Sequence, residues 1–154
     1  MADLAQQIEE MGRKARAAAR ALALCSKDKK NAALMAMADA LEAAEAEIIA
    51  ANAQDLEAAP GYGLNAAAVD RLRLDAARIR AMAQGVREVA DLPDPCGEIL
   101  REWTRPNGMK ITKIRVPIGV VGIIYESRPN VTADAAVLCL KSGNACILRG
   151  GKEA

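Results

Sequence analysis

The residues best suited to chemistry fall in two short polar stretches, "YESRPN" (125–130) and "RGGKEA" (149–154). Each follows a run of apolar, β-branched residues, "IGVVGIIY" and "ACILR". The first stretch offers Arg128, a fixed cation, and Asn130, whose carboxamide both donates and accepts. The second offers Arg149 and Lys152 around Gly150 and Gly151, which lack a Cβ and let main chain approach a ligand closely. Cations, a polar amide and bare backbone together suit an anionic ligand. Other reactive side chains are scarce. Histidine is absent, which excludes Ser-His-Asp and Cys-His catalysis within this chain. The four cysteines, at 25, 96, 139 and 146, match no CxxC spacing, and no metal site is expected from carboxylates and thiolates alone. Cys139 and Cys146 read as small buried hydrophobes. Cys25 ends a helix, and Cys96 sits in a loop with no base in its vicinity.

Positioning these stretches is the task of the elements around them. "VTADAAVLCLKS" (131–142) has a helical pattern that stops at Gly143-Asn144. Strand, helix and strand over 117–149 make one βαβ unit, expected to be parallel and right-handed. In parallel sheets ligands bind outside the carboxyl ends of the strands. Both polar stretches leave such ends, so Arg128, Asn130, Arg149 and Lys152 are expected on one rim. The N-terminus of the helix after Asn130 adds partial positive charge there. The pattern alone leaves a second reading open, in which Asn130 is only a helix cap and Arg149 only a solvated strand end. Gly119 and Gly122 do not form GxGxxG and read as packing glycines. Both strands are apolar enough to be buried on two faces. A lone βαβ unit leaves an edge and a face open, so the chain reads as part of a larger protein.

Upstream, 3–24 is expected to be a helix with Leu4, Ile8, Met11, Ala15 and Leu22 on one stripe. Ser26 can cap a second helix over 28–58, with a break near Asn52. A turn at 59–63, a short helical piece "NAAAVDRL" (65–72) and a helix over 75–90 follow. The prolines of "DLPDPCGE" (91–98) end that helix. "EILREWTR" and "MKITKIRV" flank Pro106-Asn107-Gly108, a hairpin signal, with a bulge expected near Thr112-Lys113. The fold class is therefore α/β: a helical part (1–97), a β-hairpin (98–116) and a βαβ core (117–154). With 154 residues, 52% hydrophobic, 27% charged and net charge +1, the chain fits a soluble globular protein. No basic, aromatic-laced face points to nucleic acid. No apolar run reaches the roughly 18 residues of a membrane span, and the N-terminus lacks a signal-peptide core. A reduced, cytoplasmic setting is expected.

The stretch 116–154, above all "YESRPNVTADAA" and "CLKSGNACILRGG", resembles the γ-glutamyl phosphate reductases, or glutamate-5-semialdehyde dehydrogenases, of the aldehyde dehydrogenase superfamily. "DRLRLDAARIRAMAQGVREVADLPDPCGE" (70–98) extends the resemblance backwards over nearly the whole chain. It implies NADPH-dependent reduction of γ-glutamyl phosphate to glutamate 5-semialdehyde, the second step of proline biosynthesis. By the same resemblance Asn130 would stabilise the oxyanion. Arg149, Gly150, Gly151 and Lys152 would hold NADP, with Arg149 where ordinary members carry a lysine. Arg128 is our own candidate for the substrate's phosphate or carboxylate. The family's nucleophilic cysteine lies downstream and matches none of the four here. The chain is thus expected to be an N-terminal part of a Rossmann-type cofactor domain without its catalytic domain, inactive alone. The hairpin resembles the superfamily's subunit-joining strands, which implies a homodimer. An alternative of another class is a non-catalytic binding or assembly module with the same fold.

Overall fold

The computed structural model describes residues 2–153; Met1 and Ala154, the outer ends of the helical part and the βαβ core, lie outside the described residues. Six helices and four strands follow in the order α1 (Ala2–Leu22), α2 (Lys27–Ala43), α3 (Glu45–Ala58), α4 (Ala66–Leu72), α5 (Ala76–Asp91), β1 (Ile99–Thr104), β2 (Lys110–Ile114), β3 (Val120–Ile124), α6 (Pro129–Lys141) and β4 (Ala145–Arg149). A 3₁₀ turn, Ala59–Tyr62, joins α3 to the α4 segment and ends at Gly63, whose φ of +68° favours glycine.

Short polar side chains set the helix starts. Ser26, Asn65 and Asp75 take extended backbone, and their oxygens accept from the main-chain N–H three residues on, opening α2, α4 and α5. The expected helix over 28–58 is in fact two, and the break falls at Ala44 rather than near Asn52. Asn52 does not disturb its helix because its amide is satisfied elsewhere. It donates to the Leu72 carbonyl (2.9 Å) and accepts from Leu74 N (2.6 Å). A buried polar residue bonded across the fold is no helix breaker.

The core lies where α2, α5 and α6 meet: Leu34, Ala38, Ala83, Val86, Ala90 and Val137, with Met37, Leu41, Val89 and Leu140 packed around them. Alanines at the helix crossings let the axes approach closely. At one end of this core sits a buried polar cluster. Lys30 pairs with Asp94 (2.7 Å), and Lys141 donates to Asn31 Oδ1 (2.8 Å) and the Ala90 carbonyl (2.7 Å). Cys96 N donates to Asp94 Oδ1, and the Cys96 thiol donates to the Ser142 carbonyl. The proline loop is thereby pinned over the ends of α2 and α6.

β1 and β2 form an antiparallel hairpin. Its turn carries a Gly108 N–H to Arg105 carbonyl bond and a left-handed Gly108 (φ +82°), while no non-glycine residue among those described has positive φ. That is a three-residue loop closed by a glycine bulge, the form Pro-Asn-Gly suits. The strand irregularity expected near Thr112-Lys113 lies instead on the facing strand, between Ile99 and Arg101. Leu100 is the extra residue opposite the Lys113–Ile114 step.

β3 and β4 pair in parallel from Val120–Ala145 to Ile124–Arg149, connected through α6, and α1 packs against β4. Burial on both faces does not hold within this chain: Ile124 is 86% exposed and Ile118 84%. Among the described residues the two strands have no further strand beside them. The first half of the α1 stripe is open as well, with Leu4 61% and Ile8 59% exposed.

Candidate functional site

Two chain exits meet at the carboxyl edge of the parallel pair. Tyr125 N donates to the Arg149 carbonyl (3.1 Å), holding the end of β3 beside the end of β4. The Tyr125 hydroxyl lies 2.6 Å from Thr132 Oγ1, folding the loop 125–128 back on the first turns of α6. Helix α6 starts at Pro129, two residues earlier than its pattern predicts. Arg128 holds the cap position, and proline takes the first helical place, where a missing N–H costs nothing. Asn130 is therefore not a cap. It lies inside the first turn, where its amide donates to Asp134 Oδ2 (3.1 Å) through one of its two N–H groups.

The glycines after β4 serve loop-on-loop packing. A Cβ on Gly150 would touch the Tyr125 ring at 3.4 Å. One on Gly151 would overlap Ser127 Oγ and the Glu153 carboxylate, with Ser127 N at 3.2 Å. Ser127 donates to Glu153, and this bond holds the Glu153 carboxyl below its ordinary range.

Two neighbouring cavities open on this edge. A mainly apolar one of about 500 Å³ runs between α2, α3, α5 and α6, and Met37, Met82, Tyr125, Arg128, Gly150 and Gly151 are among its walls. The second, about 440 Å³, is the more polar of the two; Asp70, Arg71, Arg73, Arg78 and Arg128 line it together with Asn130 and Asp134, beside Leu74 and Met82. Arg128 belongs to both. Its Nε lies 2.6 Å from Glu126 Oε1, a charge contact not aligned as a hydrogen bond.

The expected rim is thus divided. Arg128 and Asn130 share the polar cavity, and Arg128, Gly150 and Gly151 share the apolar one. Arg149 and Lys152 line neither: Arg149 bonds the neighbouring Gly150 carbonyl and Lys152 stands 5.5 Å over the Tyr62 ring. No cysteine lines either cavity. Sequence reasoning missed Arg71 and Arg73 in the segment before α5. The alternation "RLRL" (71–74) carried the signal: Leu72 is fully buried, which turns its arginine neighbours outward.

An α/β edge built this way matches solved aldehyde-dehydrogenase-like structures. A Listeria monocytogenes protein described as a probable aldehyde dehydrogenase superposes with TM-score 0.69 over 96% of this chain at 17% identity, which speaks for the fold alone. The class is an aldehyde-dehydrogenase-like domain, incomplete in this chain. Within that class the match is to the γ-glutamyl phosphate reductases. Proteins of that name from Allorhizobium ampelinum (61% identical over 144 residues) and Syntrophomonas wolfei (61% over 151) cover 94% and 98% of this chain. Crystal structures of that name from Thermotoga maritima (TM-score 0.91, 43% identity) and Saccharomyces cerevisiae (0.86, 36%) each cover 94% of it. The chain spans about a third of the length of these relatives: 34% and 36% of the two sequences, 35% and 37% of the two structures. No protein-family model matches the sequence.

Proposed function

We propose that this chain forms the substrate- and cofactor-facing edge of an NADPH-dependent reductase that converts γ-glutamyl phosphate to glutamate 5-semialdehyde in proline biosynthesis. The observation that carries this reading is 61% identity, over nearly the whole chain, to proteins named for that reaction. The site is consistent with it. Arg128 would meet the substrate's phosphate or carboxylate from the boundary of the two cavities. Asn130 would offer its second amide N–H to the oxyanion that forms when a nucleophile attacks the acyl carbon, where a fixed donor lowers the barrier.

The cofactor, when bound, supplies hydride. Arg149 and Lys152 fit its adenosine phosphate in charge, and Gly150 and Gly151 keep the turn between them narrow, since a Cβ at either would meet Tyr125 or Ser127. This reading also puts the protein in the cytoplasm and pairs it with a second copy through the β1–β2 hairpin. No described helix is long and apolar enough to cross a membrane.

A chimera tests the proposal. This chain would replace the matching third of the Rhodopseudomonas palustris relative, to which it is 58% identical over 152 residues. Phosphate-dependent reduction of NADP with glutamate semialdehyde would then be assayed. The chimera should be active, and Asn130→Ala should lower kcat by about a hundredfold or more with KM little changed, as for loss of one oxyanion donor. A soluble, folded chimera without activity would sink the reading.

A further inference from the structure

The α4–α5 segment is built with more care than a connection needs. Asn52 bonds the main chain at Leu72 and Leu74. Arg78 donates to the Arg73 carbonyl (2.9 Å) and the Asp70 carbonyl, and pairs with the Asp70 side chain (2.8 Å). Leu72 is fully buried between these clamps. A segment fixed at both ends and in the middle presents Arg71 and Arg73 on the polar cavity, which Arg128 also lines.

These arginines outnumber the carboxylates nearby. Asp70 is paired with Arg78 and Glu126 lies against Arg128, while Asp134, bonded only to the neutral Asn130, keeps its charge at the cavity, and Arg71 also borders a smaller cavity with Glu126 and Glu153. Arg71 and Arg73 have no ion-pair partner among the described residues. Like charges held around a partly enclosed space repel one another, and an anion between them relieves that cost. Guanidinium groups present forked donors that match carboxylate and phosphate oxygens two at a time. The cavity, about 440 Å³, admits a ligand of amino-acid size and shares Leu74, Met82 and Arg128 with the apolar cleft.

We propose that Arg71, Arg73 and Arg128 form an oxyanion-binding site that takes the carboxylate or phosphate end of an amino-acid-sized ligand. It deepens the reading above, on which it rests for the ligand's identity, by assigning the charged end to the α4–α5 segment. The site itself is tested by binding and needs no catalysis.

The 154-residue chain would be titrated separately with inorganic phosphate and with glutarate, following backbone amides by NMR. Saturable shifts are expected at 70–74 and 127–131. Arg71→Gln with Arg73→Gln should weaken binding about tenfold or more, the loss of one or more charge-assisted hydrogen bonds. Arg101→Gln with Arg105→Gln, on the hairpin, should leave it unchanged. The Lys-for-Arg pair at 71 and 73 keeps the charge but not the fork and should fall between, which reads the site even if the glutamine pair perturbs folding. Tighter phosphate binding assigns the phosphoryl end and tighter glutarate binding the carboxylate end; either supports the site. Absence of saturable shifts with both anions, or equal loss in the hairpin variant, overturns it. An inactive chimera would leave this result standing, and absent binding would leave chimera activity standing, so the two failures are distinguishable.

Discussion

Lys30 is 2% exposed and its ammonium is held by Asp94 at 2.7 Å, so neither charge can be removed without stranding the other. Asp94→Asn should cost about 3 kcal/mol of stability, the usual price of breaking a buried pair, measurable as a lower urea midpoint with an unchanged slope. The pH dependence has a defined sign. Burial alone would raise the Asp94 carboxyl, but hydrogen bonds from Lys30 and the Cys96 N–H, with the Lys30 charge, outweigh it and hold it below 3.8. A depressed carboxyl contributes its stability above the unfolded value and loses it as pH falls from 3.8 through the folded value. Lys141 moves the other way. Burial, then the charges of Lys27 and Lys30, push it below 10.5 against the pull of Asp94 and Asp91. Folding therefore sheds a proton there, and stability should rise as pH climbs through the folded value toward 10.5. Urea midpoints across pH should show both limbs, with the acid limb shallower in Asp94→Asn; an unchanged acid limb would count against the assignment. Nothing in the sequence announces this cluster, because Lys30 and Asp94 are 64 positions apart and an isolated lysine in a helix reads as surface.

At the scale of elements, what was legible was local. The cap at Ser26, the proline stop after α5 and the Pro-Asn-Gly hairpin are decided by residues adjacent in sequence, and the structure has them. The break at Ala44, the bulge at Leu100 and the early start of α6 depend on what an element packs against, which no short window contains. Asn52 shows the difference, since a polar residue in a helix reads as a weak point until its partners at Leu72 and Leu74 are seen. Asn52→Ala should cost about 2 to 3 kcal/mol by leaving buried main-chain groups without partners. It should also weaken phosphate binding, because the arginine-bearing segment would lose its clamp; stability loss with phosphate affinity unchanged would show that the clamp does not position Arg71 and Arg73. Gly143 is a second such point. Its φ of +74° and the approach of Pro117 Cγ (2.9 Å) and Cys96 Sγ (3.1 Å) to a Cβ leave no room for a side chain. Gly143→Ala should destabilise by about 2 kcal/mol or more, from positive φ and overpacking together.

For the molecule as a whole, strand-end logic reached only part of the cavity proposed above as an anion site, and it added Arg149 and Lys152, which line neither cavity. Arg128 and Asn130 followed from strand-end logic, whereas Arg71 and Arg73 come from a segment that precedes them by more than fifty positions. The cysteines complete the argument. Cys96 is committed to the Ser142 carbonyl and the Lys30 ammonium. Cys139 is buried, with its thiol pushed up by desolvation and by Cys146, the reverse of what a nucleophile needs. Cys25 lies at the end of α1, outside both cavities. On the reading proposed above, a reaction that needs a thiolate at the acyl carbon would have its oxyanion donor in Asn130, while none of the residues lining either cavity is a cysteine. The chain alone should bind small oxyanions yet show no phosphate-dependent reduction of NADP with glutamate semialdehyde, while the chimera shows it. Turnover by the chain alone, lost on Cys96→Ser or Cys25→Ser, would place the nucleophile among these residues and refute the division of labour.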